Sequence, residues 1–443
     1  VPLPLSFLDR LPLARGAVLV FATQIAGVIL AYLAQILMVR WAGAEAFGLF
    51  SMAFASASVL AITGGIGLPD ALVRLVSEYR VNEELATLRR LVSASERVVL
   101  VSTLGLALLA TAGIVIYHGA WPALSSPAGA TLLGSWITAP ALVLFTLYTN
   151  VCRAQHQFLT AYGLGRVGRQ LLIIGGTGAI AYLHVRWLDG VALLLMVTGS
   201  IFVISIIQRT HARTSLPHSN ADGSSPAEVR GWIRFALPFF FTHGFFALFR
   251  QTDLLLVGLF APVEDVGHYR IAMNTAAGVS FVLAAVNTVA APRFAADHVQ
   301  GNADALRKTI RRVLPWITSL STAAFLILAA SGPFLLSFFA PSFQNSYVPL
   351  LILAGGHLFS ACCGPVDTLL YMTGHQRTAA RIIVTSVAAN LLLSVAGLLL
   401  YGLVGAAVAS AVCMVGWNVA FVRLARQRLG VDPSLLALLS TGR

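Results

Sequence analysis

The stretch Thr149-Asn-Val-Cys-Arg-Ala-Gln-His156-Gln157 returns as Thr368-Leu-Leu-Tyr-Met-Thr-Gly-His375-Gln376, at an offset of 219 residues (His156 to His375). Carried outward without a gap, the same offset sets Glu45 on Glu264, Gly48 on Gly267, Arg74 on Arg293 and Ser102-Thr103 on Ser321-Thr322. It also sets Gly113 on Gly332 and Tyr182 on Tyr401. Matches of Ala with Ala or Leu with Leu mean little in a chain so rich in both. The rarer polar matches, all on one offset, make coincidence a poor explanation. The chain is a tandem repeat.

Of 443 residues, 58% are hydrophobic and only 10% charged, and mean hydropathy is +0.83. A soluble domain carries about a quarter charged residues, so most of this chain must lie in lipid. Two tandem halves in so apolar a chain point to a transporter whose lobes close around one central pathway. The net charge of +12 would suggest nucleic acid in a soluble protein. Here the basic residues sit in short segments between apolar runs and form no basic arm, so no nucleic-acid partner is expected. Cys152, Cys362, Cys363 and Cys413 lack metal-ligand spacing and read as free thiols. The start, Val1 to Leu13, shows no cleavage site, and the first apolar run reads as a retained span.

A helix needs about 20 mostly apolar residues to cross the hydrocarbon. Twelve such runs are present. In the first half they are Gly16–Val39, Ala46–Leu68, Val98–Tyr117, Ala130–Asn150, Val167–Leu183 and Val191–Ile207. In the second they are Phe235–Phe260, Val266–Val289, Val313–Ala329, Val348–Met372, Ile382–Leu400 and Val404–Val422. They are continuous runs without the alternation of a barrel strand, so the fold class is all-α and polytopic. With the N-terminus inside, 25 of the 29 Lys and Arg residues fall on the cytoplasmic side, leaving Arg40, Arg186, Arg250 and Arg270. Both termini are therefore expected in the cytoplasm.

Six spans per half start each half on the same side, so the two six-helix lobes form a parallel repeat about an axis along the membrane normal. The turn-rich stretch Gln208 to Gly231 falls where the repeat changes over. It divides the chain into a lobe at 1–207, a cytoplasmic linker at 208–231 and a lobe at 232–443. Val76–Glu96 and Ala295–Arg312 mix charge with apolar residues and read as amphipathic surface helices. Outer connections such as His118–Gly129 and Ala340–Tyr347 are short, which argues against a large external catalytic domain.

Ionisable groups inside spans are costly and become functional candidates by default. The seventh span holds His243, Arg250 and Asp253, and the eighth holds Arg270. Asp253 and Arg270 should lie at similar heights, so a salt bridge between them is the structural reading. An under-paired Arg250 facing a cavity would suit a phosphate, which its fork binds with two parallel bonds. Arg74 and Arg293, matched by the repeat, end the second and eighth spans at the cytoplasmic face. They either snorkel to the surface or form a vestibule for an anionic headgroup. Arg153 and His156 are equally two-sided. Asp253, His357 and Asp367 are candidates for a coupling H+ or Na+; hydrogen-bonded core roles compete. Gly175-Gly-Thr-Gly178 lies within a span with no Lys after it, so there is no P-loop and no ATP hydrolysis by this chain. No paired carboxylates suit glycosyl transfer, no His/Cys cluster has zinc spacing, and neither enzyme activity nor a cofactor is expected.

Arg40-Trp-Ala-Gly-Ala-Glu-Ala-Phe-Gly-Leu-Phe50 resembles the first hairpin of Wzx-type polysaccharide flippases, continued by Gly64-Gly-Ile-Gly-Leu-Pro-Asp-Ala-Leu-Val-Arg74. Gln251-Thr-Asp253 with Val266-Gly-His-Tyr-Arg-Ile-Ala272 looks like the matching hairpin of the second half, and Leu369-Leu-Tyr-Met-Thr-Gly374 like the end of the tenth span. The resemblance covers essentially the whole chain and implies an exporter of the multidrug/oligosaccharidyl-lipid/polysaccharide (MOP) superfamily. Such proteins move undecaprenyl-diphosphate-linked glycans outward across a bacterial inner membrane, beside glycosyltransferases and a glycan polymerase. Transferred here, contact with the diphosphate falls on Arg250, Arg270, Arg74 and Arg293. Two relatives depart from the pattern. Flippases of the MurJ type usually carry two more C-terminal spans, and MATE antiporters commonly have a carboxylate in the first span, where Gly16–Val39 has none. A MATE-like antiporter and a non-transporting scaffold of a glycan assembly complex are the alternatives.

Overall fold

The computed structural model describes residues 12–118, 127–184, 187–214, 224–299 and 303–435. Among them every regular element is a helix. In lipid each unpaired backbone polar group costs several kcal/mol, and a helix satisfies its own.

The first part of the chain forms α1 (Pro12–Gly65), α2 (Leu68–Val81), α3 (Leu85–His118) and α4 (Pro127–Ala154). A π-helical segment, Leu159–Gly168, then runs into α5 (Arg169–His184), followed by α6 (Gly190–Thr214). Next, α7 (Pro226–Phe239) passes through a π-helical turn, Phe240–Gly244, into α8 (Phe245–Phe260). The second part continues with α9 (Val263–Ala276), a 3-10 turn at Ala277–Ser280, α10 (Phe281–Val299) and α11 (Ala303–Ser337). It ends with α12 (Tyr347–Cys362), α13 (Val366–Met372) and α14 (Gln376–Leu429).

Among the described residues seven helices are long and apolar enough to cross a membrane, and Pro341–Cys362 with Val366–Met372, bent by 49°, makes an eighth if the pair is one span. The count of twelve comes from what interrupts the others. α1 and α14 each contain one residue that a helix cannot hold, Gly43 (φ 87°, ψ 169°) and Gly402 (φ 57°, ψ −140°). At these dihedrals a Cβ would clash with the backbone, so glycine turns one long helix into two passes. The π-helical segments divide two further passes, Leu159–His184 and Pro226–Phe260. Each of the twelve apolar runs is thus mainly helical where it is described, with short breaks at Ile66–Gly67 and Cys363–Pro365.

The internal repeat is visible in the element bounds. Shifted by the same offset, the start of α3 at Leu85 meets the start of α11 at Ala303 to within one residue. The end of α4 at Ala154 meets the end of α13 at Met372 equally closely, and the break at Gly43 meets Pro262 before α9. The two expected amphipathic helices are absent as separate elements. Val76–Val81 ends α2 and Leu85–Glu96 begins α3, joined through Glu83 at φ 59°. Ala295–Val299 likewise ends α10, and Ala303–Arg312 begins α11. The charges sit on extensions of the spans themselves, because helix propagation costs less than starting a new helix.

By contacts the chain forms two compact units, Val1–Gly244 and Phe245–Arg443. In the first, Leu68, Leu72, Leu88, Leu91, Leu147 and Tyr148 build the centre of the core. Lipid removes the hydrophobic drive for helices to associate, leaving tight packing and interhelical hydrogen bonds. Thr138 meets Thr198 at 2.7 Å between α4 and α6, and Asn150 donates to the Pro69 carbonyl at 2.9 Å between α4 and α2. The second unit is centred on Phe294, Leu369, Leu370, Phe421 and the edge-to-face pair Phe249–Trp417, with centroids 4.8 Å apart.

The expected linker is flanked by helix on both sides. α6 continues to Thr214, and α7 begins with a capping box in which Ser225 Oγ accepts from the Glu228 N–H and Glu228 reaches back to the Ser225 N–H. α7 packs on α2, where the Trp232 indole donates to the Tyr79 hydroxyl at 3.1 Å. The contact division therefore falls at Gly244, later in the chain than the polar stretch.

Candidate functional site

In the second unit the intramembrane charges are held by α8, α9, α12 and α14. The Asp253 carboxylate, 2% exposed, accepts from Asn390 Nδ2 at 2.5 Å and Ser394 Oγ at 3.4 Å, both on α14. Ser410, further along α14 beyond the Gly402 break, donates to its other oxygen. These three neutral donors replace the salt bridge anticipated from sequence. Among the described residues neither Arg250 nor Arg270 forms an ion pair with Asp253. Ser394 lies one turn from Asn390, so both face α8.

Arg250, one turn before Asp253, is exposed. Arg270 on α9 and His357 on α12 are half-buried and within electrostatic reach of Arg250. His357 Nδ1 lies 3.1 Å from Ser280 Oγ, in the 3-10 turn between α9 and α10. Asp367 does something else. Its Oδ1 accepts from the Thr368 N–H at 2.6 Å and from Asn287 Nδ2 at 3.3 Å. It thereby satisfies one of the unpaired N–H groups in the first turn of α13 and ties that helix to α10. The side chain of His243 lies outside the described residues, as does most of the outer connection His118–Gly129.

Of the repeat-matched arginines, Arg293 is exposed on α10, and Arg74 is exposed on α2 with its guanidinium 5.4 Å from the Phe235 ring centroid. Arg270 and His357 thus lie within electrostatic reach of Arg250, Asp253 is engaged by α14, and Asp367 is bonded to Thr368 and Asn287. Asn390, Ser394 and Ser410 were not anticipated. The signal was there: Asn390 and Ser394 are polar at i and i+4 within an apolar span.

Among the described residues no group of three metal-binding side chains assembles. The four cysteines are free.

The sequence from residue 13 to 297, more than half of the chain, matches the family model described as polysaccharide biosynthesis protein. The chain belongs to that family. No curated protein matches it in sequence. Its fold is that of the MOP transporters. An inward-facing MATE multidrug resistance transporter of the MOP superfamily superposes with a TM-score of 0.68 at 14% identity, over 91% of this chain and 94% of that one. The lipid II flippase MurJ in an inward closed conformation gives 0.70 at 14%, over 92% and 87%. A MOP superfamily transporter from Pyrococcus furiosus gives 0.59 at 15%, over 94% and 95%. This member of the polysaccharide biosynthesis family is a multi-pass membrane protein.

Proposed function

We propose that this chain flips an undecaprenyl-diphosphate-linked oligosaccharide or polysaccharide repeat unit from the cytoplasmic to the outer leaflet of a bacterial inner membrane, by alternating access. No bond is made or broken in this process. The observation that carries the reading is Arg250 in a polysaccharide-family chain: a charge on a membrane-spanning helix, exposed and outside the ion pairs of the described residues. A guanidinium turned to hydrocarbon costs at least about 2.5 kcal/mol, so such a group favours water or an anion. With Arg270 beside it, the anion it suits is a diphosphate. Arg74 and Arg293, exposed on α2 and α10 in segments that the charge distribution assigns to the cytoplasm, would gather that headgroup first. The polyprenyl tail stays in the bilayer throughout.

Asp253 is the best-placed residue for a coupling H+ or Na+. Its neutral donors leave its charge uncompensated, so cation occupancy and release would change the hold of α8 on α14. His357, beside Arg250, is a second choice. Asp367 is a weaker one, since it already serves the start of α13. A glycan polymerase and glycosyltransferases are the expected partners. A MATE-like drug antiporter shares the fold, but the family match favours glycan export. Cells lacking this chain should accumulate the lipid-linked repeat unit on the cytoplasmic face of the membrane and lose its surface polymer. Unchanged surface polymer would overturn the reading.

A further inference from the structure

The first unit contains a cavity of about 410 Å³, formed by α1, α4, the π-helical segment and α5. That volume lies within the usual range for small-molecule sites. Three arginines line it: Arg153 from the last turn of α4, Arg166 from the π-helical segment and Arg169 from the start of α5. No carboxylate lines it with them. Arg153 and Arg166 stack on Tyr162, at 5.7 and 5.9 Å from its centroid, and Arg169 lies 5.4 Å from that of Phe145. Arg153 also donates to Asn150 Oδ1 at 2.9 Å, and Asn150 in turn to Asp70 at 3.3 Å. Arg169 Nε is buried with no hydrogen-bond partner among the described residues.

Three like charges in an apolar bundle repel one another, and aromatic faces offset only part of that cost. A cluster of this kind is built for an anion. The π-helical turn explains how it is assembled: its wider spiral brings Tyr162 and Arg166 near one face, and π-helical segments mark functional positions unusually often. Gly27 leaves the room, since a Cβ there would lie 2.8 Å from Arg166 Cβ. The rim is apolar. Val28, which lines the cavity, is exposed, and so are Leu171 and Leu172 next to Arg169.

We infer that this cavity is a binding site for a lipid diphosphate headgroup, loaded from the side that the arginine distribution assigns to the cytoplasm. The inference deepens the flippase reading and rests on it for the identity of the lipid. Three guanidinium forks offer enough positive charge and paired donors for the non-bridging oxygens of a diphosphate, and the apolar rim lets a polyprenyl chain remain in the bilayer.

The test uses the purified full-length chain titrated separately with undecaprenyl diphosphate, undecaprenol, sodium pyrophosphate and cardiolipin. Undecaprenyl diphosphate should bind and raise Tm, pyrophosphate should compete with it, and undecaprenol should not bind. Arg166→Gln with Arg169→Gln should weaken undecaprenyl diphosphate by about a hundredfold, roughly tenfold per lost charged contact. The same change should leave the unliganded Tm equal or higher, because it removes repelling charges. Ala31→Leu adds bulk to the cavity wall with every charge retained and should also lose binding; it decides the matter if the arginine variants do not fold. Binding within about threefold of the parent in a folded double variant, or in Ala31→Leu, overturns the site. Cardiolipin competing as well as undecaprenyl diphosphate overturns it too, in favour of a bulk phospholipid site. Full translocation by cavity variants would sink the site and leave the flippase reading standing. Binding by a chain that translocates nothing would do the reverse.

Discussion

Asn390 donates a 2.5 Å hydrogen bond to Asp253, so the most deeply buried carboxylate of the second unit is held by an amide and two hydroxyls rather than by an arginine. Removing one donor from a buried carboxylate costs about 1–3 kcal/mol. Asn390→Leu should therefore lower the Tm of the detergent-solubilised protein, and adding Asp253→Asn should recover most of the loss. A double variant no more stable than Asn390→Leu alone would show that the bond carries little.

The same geometry separates Asp253 from Arg250. If Arg250 contacts substrate, Arg250→Ala should stop glycan movement while leaving the amount of folded protein unchanged, with partial rescue by Lys. Combining it with Asp253→Asn should not restore movement. Full flipping by that double variant would return both residues to a structural role.

In the first unit, Glu96 is 9% exposed and meets Arg209 at 2.8 Å and Arg213 at 2.7 Å, while the Tyr148 hydroxyl donates to it at 2.6 Å. The arginines are half-exposed, so solvent screens much of their share. The buried Tyr148 bond is the part that counts. Glu96→Leu should cost about 1–3 kcal/mol by thermal unfolding, and Tyr148→Phe less. Equal losses would put the weight on the hydroxyl alone.

The start of α7 should respond to pH. The Ser225 N–H donates to Glu228 and, with the Ser225 hydroxyl, holds its carboxyl below the usual range; Arg90 at 3.1 Å adds to this. A depressed carboxyl contributes stability that is complete above its unfolded value, about 4.3, and is lost as pH falls through the lower folded value. Amide exchange around residues 225–229, corrected for intrinsic rates, should rise below about pH 4. Glu228→Ala should show that faster exchange already at pH 7. Exchange independent of both would remove the capping box as the anchor of this helix.

How far the sequence could be read depended on the kind of signal. Twelve spans and the repeat were legible because lipid demands long apolar helices and because polar matches such as His156 with His375 shared one offset. The breaks fell where the runs stop, between Val39 and Ala46 and between Leu400 and Val404, but that Gly43 and Gly402 make them was not legible, since a glycine at positive φ looks like any other glycine in a membrane helix. Among the candidate residues, Arg250, Arg270 and His357 were legible as ionisable groups inside apolar runs, but nothing in the sequence showed that they are neighbours. The Asp253–Arg270 pairing failed because equal height in the membrane says nothing about which face of a helix a side chain occupies. The cavity around Arg169 was invisible for a related reason. A π-helical segment changes the angular spacing that places Tyr162, Arg166 and Arg169 together.

Topology admits a direct check. In a background lacking the four native cysteines, a cysteine replacing Asn345 should react with an impermeant thiol reagent from outside, and one replacing Asn82 should not. Both residues are exposed, at Pro341–Ser346 and between α2 and α3. The reverse pattern would overturn the orientation.

The central claim is outward movement of a lipid-linked glycan. Purified chain should be reconstituted into vesicles carrying a fluorescent undecaprenyl-diphosphate-linked oligosaccharide, with external lectin reporting its appearance on the opposite leaflet. Movement should depend on the parent chain and fall at least about tenfold in Arg250→Ala, the loss of one charge-assisted contact. Lectin access no faster than in protein-free vesicles, from a folded preparation under an imposed H+ or Na+ gradient, would contradict it.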